Sequence, residues 1–222
     1  GTYTPVQTND GIWQFGTKPA PTSEFRQMPS NIHTDDVGFG SGQNVFAGWQ
    51  GKSAASTPLI SVNTTNTEQA GFGGSVFDPY AFWIHPDNPN DTNIEHSCVT
   101  IRWTAPTDGI ADISSAWVAK DSLGDGVTTH VTHNNGLLAG SIVDGSIPDN
   151  TGLTELTYAS DNVQITVGDT IDFTTCPGPT YNSDSTQFKA IIELTPFVAS
   201  YTAGSSLAAD EVGFSGSDVP AQ

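Results

Sequence analysis

Between residues 97 and 196 the chain repeats one pattern. A run of alternating apolar and polar residues is followed by a turn signal, at intervals of about ten residues. CVTIRWTAP alternates Val99, Ile101 and Trp103 with polar neighbours, the mark of a strand with one buried face. The turn TDG leads into ADISSAWVAK. GVTTHVTHNNGLLAGSIVDG reads as a hairpin turning at Asn135-Gly136. TELTYASDNVQITVGDTIDFTT divides at Gly168-Asp169 into two strands, and FKAIIEL closes the set. Short strands at this spacing predict an all-β, jelly-roll-like sandwich of antiparallel strands with little helix.

The flanks are less regular. Residues 1–80 hold brief apolar or aromatic runs between glycines, such as GIWQFG and VFAGWQG, and read as irregular strands and loops packed on a sandwich formed by 81–196. GFGSGQ lacks the GxGxxG spacing, and no helical pattern follows it, so it is no dinucleotide fingerprint. Residues 197–222 are small and polar, with Phe197, Tyr201, Leu207, Val212 and Phe214 spaced through them. They read as a linker or as a subunit-contact segment able to add a strand to a neighbour's exposed edge.

Charge narrows the partners. Against 24 acidic residues stand 6 basic ones, a net charge of −18 that repels nucleic acid and anionic lipid. Asp outnumbers Glu 18 to 6, which suits turns rather than helices. No run of 18 apolar residues is present, so no membrane insertion is expected. Cys98 and Cys176 are the two cysteines; a disulfide and a pair of buried thiols both fit their strand-like settings.

The motifs WIHP, VTIRWTAPTDGIADIS, TTHVTHNNGLLAGSI and VGDTIDFTTCPGPTYNSDSTQF resemble a family of secreted bacterial β-sandwich domains. These occur in exported proteins bearing sorting signals and beside polysaccharide-degrading enzymes. His85, Arg102, Trp103, His130, Asp172 and Asp184 fall on the matching positions. The resemblance implies a carbohydrate-binding-type sandwich outside the cell, secreted or at its surface. Two departures stand out. Lys189 replaces a usually acidic residue, which weighs against a carried-over cation site, and the hairpin around Asn134-Asn135-Gly136 is one residue longer.

Tryptophan faces stack on sugar rings, and Asp, Asn or His fix the hydroxyls. Trp103 and Trp117 lie inside alternating strands and are expected in the core. Trp13, Trp49 and Trp83 neighbour Gly or Pro loops and are the candidate platform, with His85, His130 and Asp184 as candidate polar partners. His130 and His133, three apart on a strand, face opposite ways and cannot share one metal. With no HExxH and no CxxC, zinc is not expected. No metal ligand set is assigned. A structural calcium is the candidate cofactor, with loops 85–93, 120–126 and 181–187 as its candidate sites. No GxSxG elbow or Cys–His pattern is present, and the aspartates sit at turns, so the chain reads as non-catalytic. The alternative of a polysaccharide hydrolase or lyase would need two carboxylates facing one cleft. The expected function is polysaccharide or glycan binding; the alternative is a self-assembling homo-oligomeric or filament subunit using residues 197–222.

Overall fold

Alternation along Gly109–Ala119 sets the layers. The computed structural model describes residues 13–28, 33–34, 45–50, 57–71, 75–88, 97–121, 125–138, 145–147 and 155–197. In it, this 11-residue strand, β10, buries Ala111, Ile113, Ser115, Trp117 and Ala119 and exposes Ile110, Asp112 and Ser114. One face of a pleated strand is therefore core and the other is surface.

Two main sheets carry the sandwich. The first runs β12 (Gly136–Leu137), β11 (Val127–His133), β15 (Thr170–Pro177), β9 (Cys98–Thr104), β1 (Trp13–Lys18) and β2 (Arg26–Gln27), with β13 (Gly145–Ile147) also on β11. The second runs β14 (Glu155–Ile165), β10, β16 (Thr186–Pro196), β8 (Phe82–His85), β5 (Leu59–Asn63), β4 (Phe46–Gln50) and β3 (His33–Thr34). β6 (Gln69–Ala70) and β7 (Val76–Phe77) form a separate ribbon. Every described pairing is antiparallel. From β8 onward the long strands alternate between the sheets, the jelly-roll pattern, and no helix occurs among the described residues. The first 80 residues contribute hydrogen-bonded members to both sheets: β1 lies between β9 and β2, and β5 between β8 and β4.

Between the sheets, Phe15 stacks on Trp49 at 4.0 Å, and Phe188 meets Trp117 at 5.1 Å and Phe173 at 5.4 Å. Each such ring buried contributes about 1.5–3 kcal/mol. A second apolar cluster lies on the far side of the second sheet. Phe82 and Ile84 belong to the main core or pack on it, so Trp83 between them points outward. There it meets Phe77 of the ribbon at 4.9 Å and Phe46 at 5.3 Å.

One turn sits a residue earlier than the sequence suggests. His133 pairs with Gly136, so the hairpin turns at Asn134-Asn135 rather than Asn135-Gly136. Both asparagines take left-handed backbone angles, φ 50° and 64°, which a type I′ turn requires and which asparagine tolerates.

Candidate functional site

The tryptophan platform expected from sequence is not on the surface. Trp49 and Trp83 are each 1% exposed, so neither can offer a face to a sugar ring. Trp49 is held by its stack on Phe15, and Trp83 is covered by the β6–β7 ribbon. Trp13 is half-buried and lies over Phe173 at 6.3 Å. Trp103 and Trp117 are core residues, as expected. His85 and His130 stand on different sheets, β8 and β11, and do not form one cluster. Burial holds His85 below the usual histidine range, although its contact with the Pro86 carbonyl at 2.8 Å raises it, so it is neutral at pH 7. His130 Nε2 lies 3.4 Å from Thr128 Oγ1 on the outer face of the first sheet.

The three acidic loops do meet, at one end of the sandwich. His85 abuts Tyr181 edge-on at 6.5 Å. The Ser185 amide donates to Asp121 Oδ2 at 3.0 Å, and the Thr180 amide donates to Asp125 Oδ2 at 2.7 Å. Asp121 Oδ1 also accepts from Ser75 at 2.5 Å. Asp184 is buried and, with Ala119, Gly126, Val127 and Ser183, lines a cavity of about 10 Å³, room for one water-sized occupant. Asp121 and Asp125 thus cap backbone amides. Among the described residues no group of three or more His, Cys, Asp or Glu is arranged to hold a metal ion. Parts of two calcium candidates, residues 89–93 and 122–124, lie outside the described residues.

Asn63, which opens the stretch Asn63-Thr64-Thr65, is structural. Its side-chain amide is buried and donates to the carbonyls of Thr67, Phe77 and Asp78 at 2.8, 3.2 and 3.0 Å. Asn63 thereby anchors the turn Asp78-Pro79-Tyr80-Ala81, which closes with the Ala81 amide donating to the Asp78 carbonyl at 3.2 Å. Proline occupies the second position, as turn chemistry favours. Tyr80 occupies the third with φ 57°, in the left-handed region where glycine is usual. A side chain there costs about 1–2 kcal/mol. The ring is nevertheless presented to solvent, 45% exposed.

The turn is braced by charge. Asp78 Oδ2 accepts from Lys189 Nζ at 2.8 Å and Gln187 Nε2 at 2.9 Å, while Gln187 Oε1 accepts from the Asp78 amide at 2.9 Å. Lys120 Nζ stands 3.9 Å from Asp78 Oδ1. The Lys189 hydrogen bond chiefly holds Asp78 below the usual carboxylate range, and burial holds Lys120 below the usual lysine range. Lys189, the departure noted in the sequence, is thus engaged by an aspartate here. Beside Tyr80 runs the outer face of the second sheet. Ala116 lies opposite Lys189, Ser114 opposite Ile191 and Asp112 opposite Glu193, and Ile191 is 61% exposed. Small side chains on the central strand give this surface low relief. Tyr80 escaped the sequence reading because it sat inside an aromatic run. The available signal was Asp-Pro opening a turn with a non-glycine residue in its third position.

A further polar cluster underlies the outer face of the first sheet. Arg102 grips Asp172 through two hydrogen bonds of 2.7 and 2.8 Å, and its guanidinium lies 4.3 Å from the Phe25 ring centroid. Lys18 Nζ reaches the same carboxylate at 2.5 Å, both side chains being fully buried. On the same outer face Cys98 and Cys176 form a disulfide between β9 and β15.

No family model and no curated protein matches the chain. Among solved structures it is similar to a Podospora anserina GH26-CBM35 β-(1,4)-mannanase, at 17% identity and a TM-score of 0.29, over 69% of this chain and 28% of that one. It is also similar to a Kluyveromyces marxianus β-glucosidase in complex with glucose, at 13% identity and a TM-score of 0.27, over 84% of this chain and 16% of that one. The chain therefore spans less than a third of the length of either protein.

Proposed function

We propose that this protein is a secreted, non-catalytic module that binds polysaccharide across the outer face of its second sheet, with Tyr80 as the stacking ring. The observation that carries the reading is Tyr80 itself. An aromatic ring is exposed from a left-handed backbone position in a turn braced by Asp78, Asn63, Gln187 and Lys189. Conformational strain retained at a rigid surface turn is the pattern of a ligand-contacting residue. On the same outer face Ser114, Asp112 and Glu193 of the adjoining strands are candidate hydroxyl partners, Asp112 also accepting from the Asn162 amide at 2.8 Å. Three of the described carboxylates, Asp121, Asp125 and Asp169, accept from backbone amides and so hold their loops. The test is affinity electrophoresis of the chain and of Tyr80→Ala through gels containing a panel of soluble polysaccharides. Retardation by at least one polysaccharide, lost in the variant, supports the reading; retardation equal in both sinks it.

A second reading, assembly, has its own observation. Among the described residues β14 is an 11-residue edge strand, paired on one side to β10. Gly109 of β10 pairs with both Ile165, the end of β14, and Pro196, the end of β16, so the chain leaves the described fold close to that edge. Phe197 is exposed there, whereas Tyr201, Leu207, Val212 and Phe214 lie outside the described residues. Light scattering with and without 198–222 tests it: equal masses remove the reading.

A further inference from the structure

Lys18, Asn135, Asp172 and Arg102 come together on the outer face of the first sheet. Lys18 Nζ has three oxygens around it: Asp172 Oδ2 at 2.5 Å, Asn135 Oδ1 at 3.0 Å and the Pro21 carbonyl at 3.0 Å. Arg102 Nη2 lies 3.5 Å from the same Asn135 Oδ1. A buried ammonium with three acceptors would be an adequate structural element if its charge were balanced. It is not balanced. Two cations share one carboxylate, and Arg102 already holds that carboxylate in a two-point grip. A guanidinium does not give up its proton in a protein, so relief of the surplus charge falls to the lysine.

We infer that this cluster is a self-modification site, in which Lys18 Nζ and Asn135 Cγ join in an intramolecular amide bond. The nucleophile is Lys18 in its neutral form, its ammonium proton lost to solvent. Burial supports that form, holding Lys18 below the usual lysine range despite the opposing pull of Asp172. The Nζ lone pair attacks Asn135 Cγ, and the carbonyl electrons move to Oδ1, where Arg102 Nη2 stabilises the developing charge. Asp172 Oδ2 accepts one proton from Nζ and returns it to Asn135 Nδ2, which leaves as ammonia. One C–N bond forms, one breaks, and no oxidant or cofactor enters. Asp172 is the poorer electrophile of the two, since its paired, ionised carboxylate repels a nucleophile and has no neutral leaving group. The bond would tie β1 to the β11–β12 hairpin. It would stand on the same face as the Cys98–Cys176 disulfide, because Lys18 is in register with Cys98. Two covalent ties on one face suit a protein exposed to an extracellular medium.

The experiment is the intact mass of the folded, oxidised full chain after storage at neutral pH, followed by a tryptic map after reduction. The expected result is a mass lower than that of the disulfide-bonded sequence by one ammonia, with the Lys18 and Asn135 peptides recovered as one linked species. Lys18→Arg and Asn135→Ala should both show full mass. A wild-type chain at full mass overturns the inference, and this reading needs no variant to fold. Ring closure of Asn135 onto the Gly136 amide also releases ammonia, so a deficit that persists in Lys18→Arg overturns it equally. A deficit of one water with Lys18 joined to Asp172 overturns the choice of Asn135.

Discussion

Replacing both Cys98 and Cys176 with alanine probes how the two sheet strands are held. The disulfide closes a separation of 78 residues. For a loop of that length the chain-entropy relation gives about 4.5 kcal/mol of stabilisation, exerted by restricting the unfolded chain. The folded state loses little beyond the sulfur atoms, because β9 and β15 stay paired through Thr100–Thr174 and Val99–Thr175. The Thr100 and Thr174 hydroxyls also bond each other at 3.1 Å. For a chain of this size each kcal/mol moves the thermal midpoint by about 2–4 °C, so the double variant should melt about 9–18 °C lower. Far-UV circular dichroism on heating measures it. Guanidinium unfolding should show a steeper denaturant slope, since the freed unfolded chain exposes more surface. A midpoint lowered by less than about 2 °C would refute the reasoning, because the chain between the cysteines would then be restricted without the bond.

Three other outcomes follow from named contacts. Asp172→Ala should cost about 3–5 kcal/mol, measured by urea unfolding, because the partly buried Arg102 guanidinium loses the carboxylate it holds by two hydrogen bonds and Lys18 loses its contact with the same group. Gly48→Ala should destabilise by about 1–3 kcal/mol, since a Cβ there would stand 2.0 Å from the Ile60 carbonyl oxygen on the paired strand. Stability should fall on acidification below about pH 4, near the unfolded aspartate pKa. Asp78 is held low chiefly by Lys189. At Asp169 burial pushes the carboxyl up but is outweighed by the Thr166 amide, Asn134 and His133. Both are depressed in the folded state, so their contribution is present above the unfolded pKa and lost as pH falls through the folded one. Asp78→Asn and Asp169→Asn should each flatten that acid limb in a pH series of thermal midpoints.

The strand pattern from β9 to β16 was legible because the long strands turn alternate apolar residues to the core, such as Val99, Ile101 and Trp103 on β9 and Ala111, Ile113 and Trp117 on β10, and period-two alternation reports that directly. Trp83 was misread for the opposite reason. Its strand is covered on both faces, by the core and by the β6–β7 ribbon, and local sequence does not announce a second layer. Trp49, set between glycines, looked loop-like, yet Gly48 before it marks close approach to the paired strand. Lys18 and Asp172 would be placed in solvent by their chemistry alone; their burial depends on Arg102 and Asn135, which only the register of β1, β9 and β15 brings near. The hairpin was found with its turn displaced by one residue, because Asn-Gly is the stronger textual signal but Asn-Asn satisfies the same backbone angles.

The most direct test of the central claim is titration of the chain and of Tyr80→Gly with whichever polysaccharide the wild type retains, read by calorimetry beside thermal unfolding. Glycine relieves a left-handed residue of about 1–2 kcal/mol while loosening the unfolded chain by about 0.5–1 kcal/mol. The variant should therefore fold as well as the wild type or better. Loss of a stacking aromatic of about 2 kcal/mol should weaken binding about 30-fold. Weakened binding with an unchanged or raised midpoint is the predicted result. Undiminished affinity in a stably folded Tyr80→Gly would contradict the account.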